Sequence, residues 1–211
     1  MKLEDSNATT RRVAYSLAAG AAAGMAGTAD AAISYSGVQD ISIGQFGAQD
    51  LNLDGDGFTD IKLKNYVFGS NYQGATVLGF PGQLVLSNAS FPFYVTALTS
   101  GDLIDSSAVG PTFYGALAFS ANPNAEFDGV QGAFIGLSFP IGANDLAHTH
   151  YGWVRVTIDN AAGSFVINDW AYNTVAGEPI RAGQTVPEPT TLGLLAAGAA
   201  GVAAMRRRQA A

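Results

Sequence analysis

The stretch richest in ligating oxygens is Asp50-Leu51-Asn52-Leu53-Asp54-Gly55-Asp56-Gly57-Phe58-Thr59-Asp60, which carries carboxylates or carboxamides at alternating positions. Calcium requires about 6 to 8 oxygen ligands, and side chains at every second residue of a tight loop can converge on one ion. Two registers are open. In one, Asp50, Asn52 and Asp54 are ligands and Gly55 is the bend; in the other, Asn52, Asp54 and Asp56 are ligands, Gly57 bends the chain and Asp60 closes the site. Without a cation these carboxylates repel one another. A solvated Asx-rich turn would use the same residues. The stretch is no EF-hand loop, because its twelfth position is Leu63 or Ile61 rather than Glu, and Ile61-Lys62-Leu63 reads as a strand. Lesser candidates are His148 and His150, which would share one side of a strand, and Tyr151 and Trp153, which with Trp170 and Tyr172 could stack on a sugar. Aromatics on sandwich strands more often serve the core. The pairs Asp102/Asp105 and Glu126/Asp128 carry no glycosidase argument, because such pairs come from separate elements. No G-x-S-x-G elbow, H-E-x-x-H or phosphate-cradling glycine loop occurs.

The elements that must position these residues are strands. Short apolar runs alternate with Gly, Asn, Asp, Ser and Pro clusters: Ile41–Ile43, Ile61–Leu63, Gln83–Leu86, Phe91–Leu98, Phe113–Phe119 and Ala133–Phe139. Each has strand length and turn residues at its ends. The strongest hairpin is Tyr151–Ile158, a turn at 159–163, and Ser164–Tyr172. Period 2 puts Val154, Val156 and Ile158 on one face and Trp153, Arg155 and Thr157 on the other. The expected fold is all-β, a β-sandwich or jelly-roll-like domain over residues 32–184.

Composition narrows the function. Charged residues are 13% of the 211, about half the typical share of roughly 25%, so the chain has much to bury and little to keep it open. It has no cysteine, which excludes disulfides, thiolate zinc sites and cysteine nucleophiles. A net charge of −7 argues against nucleic acid as a partner. Six of the ten basic residues lie near the termini; between Ala32 and Val186 four basic residues face thirteen acidic ones, a net of −9.

The ends read as addresses. Residues 1–31 have Arg11-Arg12, an apolar run from Val13 to Gly27, and Ala29-Asp30-Ala31, the layout of a secretory signal cut after Ala31. Thr10-Arg11-Arg12 leaves the twin-arginine route open, although Ala14 and Tyr15 favour general secretion. At residues 185–211, Pro187-Glu188-Pro189 precedes an uncharged run from Thr190 to Met205 and the cluster Arg206-Arg207-Arg208. This resembles a PEP-CTERM sorting signal. A helix over Thr190–Met205 would span about 24 Å, short of the ~30 Å hydrocarbon core, so it is expected as a short, transient transmembrane helix with its arginines cytoplasmic. The resemblance implies recognition by an exosortase at the inner membrane of a Gram-negative bacterium that makes extracellular polysaccharide. The Gly-Trp strand followed by an Ala-Tyr strand resembles PEP-CTERM passenger domains. The N-x-D-x-D-G-x-x-D loop resembles calcium loops of FG-GAP, integrin-like repeats, although Asn52 at its first position removes a charge.

The function expected is non-enzymatic: an exported surface or matrix protein, structural or polysaccharide-associated, with one calcium-stabilised loop. The alternative is a secreted hydrolase acting on that polysaccharide.

Overall fold

The computed structural model describes residues 33–88, 90–120, 122 and 124–185. The expected signal helix and C-terminal transmembrane helix lie outside the described residues, among which no helix is long and apolar enough to cross a membrane. The strands in chain order are β1 (Ile33–Tyr35), β2 (Ile41–Ile43), β3 (Gly47–Leu51), β4 (Ile61–Val67), β5 (Asn71–Val77), β6 (Gln83–Leu84), β7 (Leu86–Asn88), β8 (Tyr94–Val95), β9 (Leu103–Ile104), β10 (Tyr114–Phe119), β11 (Ala133–Pro140), β12 (Thr149–Asp159), β13 (Ser164–Asn173) and β14 (Ile180–Arg181), with a 3₁₀ turn at Leu146–His148.

Alternating side chains sort these strands into two six-stranded sheets. The first has the order β1-β13-β12-β11-β6, with β2 also on β13; the second runs β3-β4-β5-β10-β8-β7. Ile135, Leu137, Val154, Val156, Ile158, Phe165 and Ile167 of the first share one core with Ile61, Leu63, Ala75, Val77 and Leu117 of the second. Face-to-face burial of the two apolar faces makes an all-β sandwich. One pair, β8 with β10, is parallel, which departs from an all-antiparallel jelly roll. The β12–β13 hairpin forms as the sequence pattern requires, with Val154, Val156 and Ile158 inside.

A bulge in that hairpin has a large local effect. Arg155 pairs with Asp169, but Val156 pairs with Ile167, so Asn168 is the extra residue. Past the bulge the facing of β13 is reversed, and Asp169 turns to the outer face beside Arg155. There Arg155 Nε donates to Asp169 Oδ1 at 2.8 Å, its Nη2 donates to the other oxygen, and Tyr35 Oη donates to Oδ2 at 2.8 Å.

The outer face of the first sheet is also covered. Phe134, Tyr151, Trp153 and Ala171 pack with Ile33, Leu98, Ile104, Ile180 and Ala182 in a second core, roofed by the β9–β14 ribbon. Trp153 is 1% exposed and Tyr151 6%. The expected sugar platform on these two rings is therefore corrected: the roof closes them to any ligand.

At one end of the sandwich the sheets are tied by amides. Gln73 Nε2 donates to Asn65 Oδ1 at 2.8 Å, and Asn160 Nδ2 donates to Gln73 Oε1 at 2.7 Å. Asn65 Nδ2 reaches the carbonyls of Ile43 and Gly163, both at 2.8 Å. Asn65, Gln73 and Asn160 are buried, and each links the second sheet to the turn of the β12–β13 hairpin. Gln73→Leu should strand polar atoms on both neighbours and destabilise the domain by about 1–3 kcal/mol. A lower urea midpoint at unchanged slope would show it; an unchanged midpoint would mean the network contributes nothing.

Candidate functional site

The acidic stretch is the hairpin loop between β3 and β4. Asp60 N–H donates to the Leu51 carbonyl at 2.9 Å and closes it. Gly55 and Gly57 both take positive φ, +83° and +98°, so both candidate bends exist and each needs a residue without a Cβ. Asn52 Oδ1 accepts from Gly55 N–H at 2.6 Å, Asp54 Oδ1 from Asp56 N–H at 3.0 Å, and Asp56 Oδ1 from Phe58 N–H at 2.7 Å. These are Asx turns, in which each side chain serves its own backbone. Among the described residues no three Asp, Glu or His side chains are grouped to hold a metal ion.

Asp50 does not join the loop. It sits on β3 opposite Lys62, with Lys62 Nζ 3.3 Å from its Oδ1 and both side chains partly exposed. The register that starts at Asp50 therefore lacks its first ligand, because strand pairing turns that carboxylate toward a lysine.

Asp60 is the distinctive residue. It is 5% exposed, and its Oδ2 accepts from Leu53 N–H at 2.6 Å. Burial, against the pull of that N–H, pushes its pKa up to about 7, and the charges of Asp54 and Asp56 add to the rise. Asp56, Phe58 and Asp60 line one side of a cleft of about 470 Å³, with Gly79, Pro140 and Asn144 on the other. A buried carboxyl with a raised pKa in a cleft is a functional candidate by itself. Its partner carboxylates come from the same loop, which suits a cation better than an acid–base pair on separate elements.

The remaining candidates have local roles. His148 Nδ1 is 2.7 Å from Asp145 Oδ1 in the 3₁₀ turn, whereas His150 is buried with Nδ1 2.9 Å from the Asn173 carbonyl; they share no partner. Asp102 accepts from Thr99 N–H and Asp105 from Ser107 N–H, each capping its own turn, whereas Glu126 accepts from Ala97 N–H and ties two distant segments together.

A further group of exposed rings stands elsewhere. Phe68, Phe91, Phe113 and Tyr114 are exposed at the second sheet, beside a groove of about 430 Å³. The signal was in the sequence, as the aromatic-dense segments Tyr66-Val67-Phe68 and Phe91-Pro92-Phe93-Tyr94. Alternation alone could not say which face stays open.

The C-terminal end of the described chain is fastened down. β14 pairs with β9 through Ile180 and Arg181. Trp153 Nε1 donates to the Gln184 carbonyl at 3.2 Å, and Arg181 Nη1 donates to the Gly101 carbonyl at 2.9 Å. The described all-β domain ends at residue 185, where a C-terminal motif begins. Residues 185–208 match the PEP-CTERM protein-sorting motif, so the chain is an exosortase-sorted protein, bound for the cell surface or beyond after sorting at a membrane. That match covers the sorting motif alone and lends nothing to the integrin-like likeness of the loop. No curated protein and no solved structure matches the chain.

Proposed function

We propose that this is a non-enzymatic matrix or surface protein: a β-sandwich sent through the inner membrane by an N-terminal signal, released by exosortase, and associated outside with polysaccharide. The observation that carries the reading is the sorting motif at residues 185–208, starting where the fastened domain ends. Proline at positions 187 and 189 disfavours helix across Glu188, which would suit docking into an enzyme cleft. Glu188→Ala, or loss of Arg206–Arg208, should abolish processing and leave precursor in the membrane fraction. Mature-sized protein outside cells carrying either variant would overturn the sorting reading.

A second element of the proposal is calcium at Asn52, Asp54, Asp56 and Asp60. It is favoured by the buried Asp60 carboxyl lying within the field of Asp54 and Asp56. A divalent cation would relieve that repulsion, and the two left-handed glycines already give the loop its bends. Asp50 is left out of the ligand set, since Lys62 holds it. The hydrolase alternative would need two carboxylates from separate elements facing each other across a groove.

A further inference from the structure

We infer that the outer face of the second sheet carries a binding groove for neutral pyranose chains. The inference rests on the proposed association with polysaccharide and gives it a place.

The groove is built from edge-to-face rings. Phe68 meets Tyr72 with centroids 5.6 Å apart, Phe91 meets Phe93 at 6.1 Å, and Phe93 meets Tyr114 at 5.5 Å with the planes 89° apart. Such contacts fix ring orientation, so little freedom is lost when a ligand settles on them. Phe91 is 80% exposed and Phe68 63%, and these two form the rim. Between them the floor is low, because Gly74 leaves room for the Tyr72 ring to lie over the strand; a Cβ there would collide with it.

The floor is also polar in a specific way. Tyr72, Tyr94 and Tyr114 lie close enough that each of the last two raises the pKa of the first, burial being the larger cause. Among the described residues none of their hydroxyls makes a hydrogen bond within the protein, which leaves three donor–acceptor groups under an apolar rim. Among the described residues no charged side chain lines the groove, and the domain is strongly acidic. A ligand that fits has apolar C–H faces for the rings, hydroxyls for the phenols, and no charge. A hexopyranose has all three. An aliphatic helix or acyl chain would leave the phenols unpaired on burial, and a polyanion would meet net repulsion.

The position agrees. The first described residues pack in the outer core of the first sheet, and Gln184 is fastened there by Trp153. Both ends of the described chain therefore leave on the side of the first sheet. The groove is on the opposite side, away from the end that leads into the sorting motif.

The test uses the full chain in a zwitterionic detergent without sugar headgroups. Isothermal calorimetry is run with unbranched hexamers of β-1,4-linked glucose, of β-1,4-linked mannose and of galacturonate. At least one neutral hexamer should bind and the galacturonate hexamer should not. Phe68→Ala with Phe91→Ala, both rim residues, should weaken binding by about tenfold or more. Tyr114→Phe, which removes one hydroxyl and keeps the ring, should weaken it a few-fold, and Leu146→Ala, exposed elsewhere, should leave it unchanged. Unchanged binding by the rim variant overturns the groove. So does failure of both neutral hexamers to bind at about 10 mM. If the protein then still co-sediments with the matrix polysaccharide of producing cells, only the groove is lost; if it does not, the association with polysaccharide is lost as well. A concentration-dependent dimer that the rim variant dissolves would assign the face to a second copy instead, and would also overturn the proposal.

Discussion

Replacing Arg155 with methionine should destabilise the domain by about 3–5 kcal/mol, toward the lower end because the guanidinium is about one-third exposed. For a domain of this size that lowers Tm by roughly 10 °C. Asp169, 2% exposed at its side chain, would keep only the Tyr35 hydroxyl as a partner. The cost comes from an orphaned charge rather than from a lost attraction. Arg155→Met with Asp169→Leu should therefore recover most of the stability, since no buried charge remains. Urea denaturation of the single and double variants decides it. Equal losses in both would mean that packing of the arginine stem, not charge, sets the effect.

The loop should answer to calcium and to pH in linked ways. Asp60 ionises at about 7 in the folded domain against 3.8 for an ordinary aspartate. Between those pH values the folded state holds a proton that the unfolded chain has released, so raising pH works against folding. Asp60's share of stability is complete below about pH 4, declines as pH rises, and is lost above pH 7. In chelator, the melting temperature should fall from pH 5 to pH 8, and Asp60→Asn should flatten that slope while keeping an acceptor for Leu53 N–H. At pH 8, calcium at about a hundredfold excess over its Kd should restore ~2.7 kcal/mol, a shift of several degrees, with magnesium doing less. Asp54→Ala should remove the shift and Asp50→Ala should leave it. Indifference to calcium, with no heat of binding, would return the loop to an acidic turn.

Alternation along β12 was readable from residues, and so were the loop's two bends and the sorting motif. Two strands of the second sheet were less visible. β5, Asn71-Tyr72-Gln73-Gly74-Ala75-Thr76-Val77, carries Asn, Gln and Gly, which are poor strand formers, because its inner amide closes a polar tie and its glycine admits a ring. β3 looks in sequence like the start of the acidic loop, since Asp50 lies on it. The Arg155–Asp169 pair was hidden by a single extra residue, Asn168, which shifts the phase of half a strand. Period 2 places Trp153 on the face of β12 opposite Val154, but it cannot tell an open face from one roofed by a segment far along the chain. The same limit hides the aromatic rim.

The β9–β14 ribbon has a mechanical consequence. A pull applied beyond residue 185 is borne first by the two β9–β14 pairs, the Ala182 backbone bonds to Gly101 and Asp102, the Arg181–Gly101 bond and the Trp153–Gln184 bond, a shorter run than the β12–β13 ladder behind them. Under tension the Gly177–Gln184 segment would peel away first and lengthen the tether by roughly 25 Å, while both sheets and the groove stayed intact. The fastening thus acts as a compliant link in series with a stiff body, and it would bare an indole as it yields.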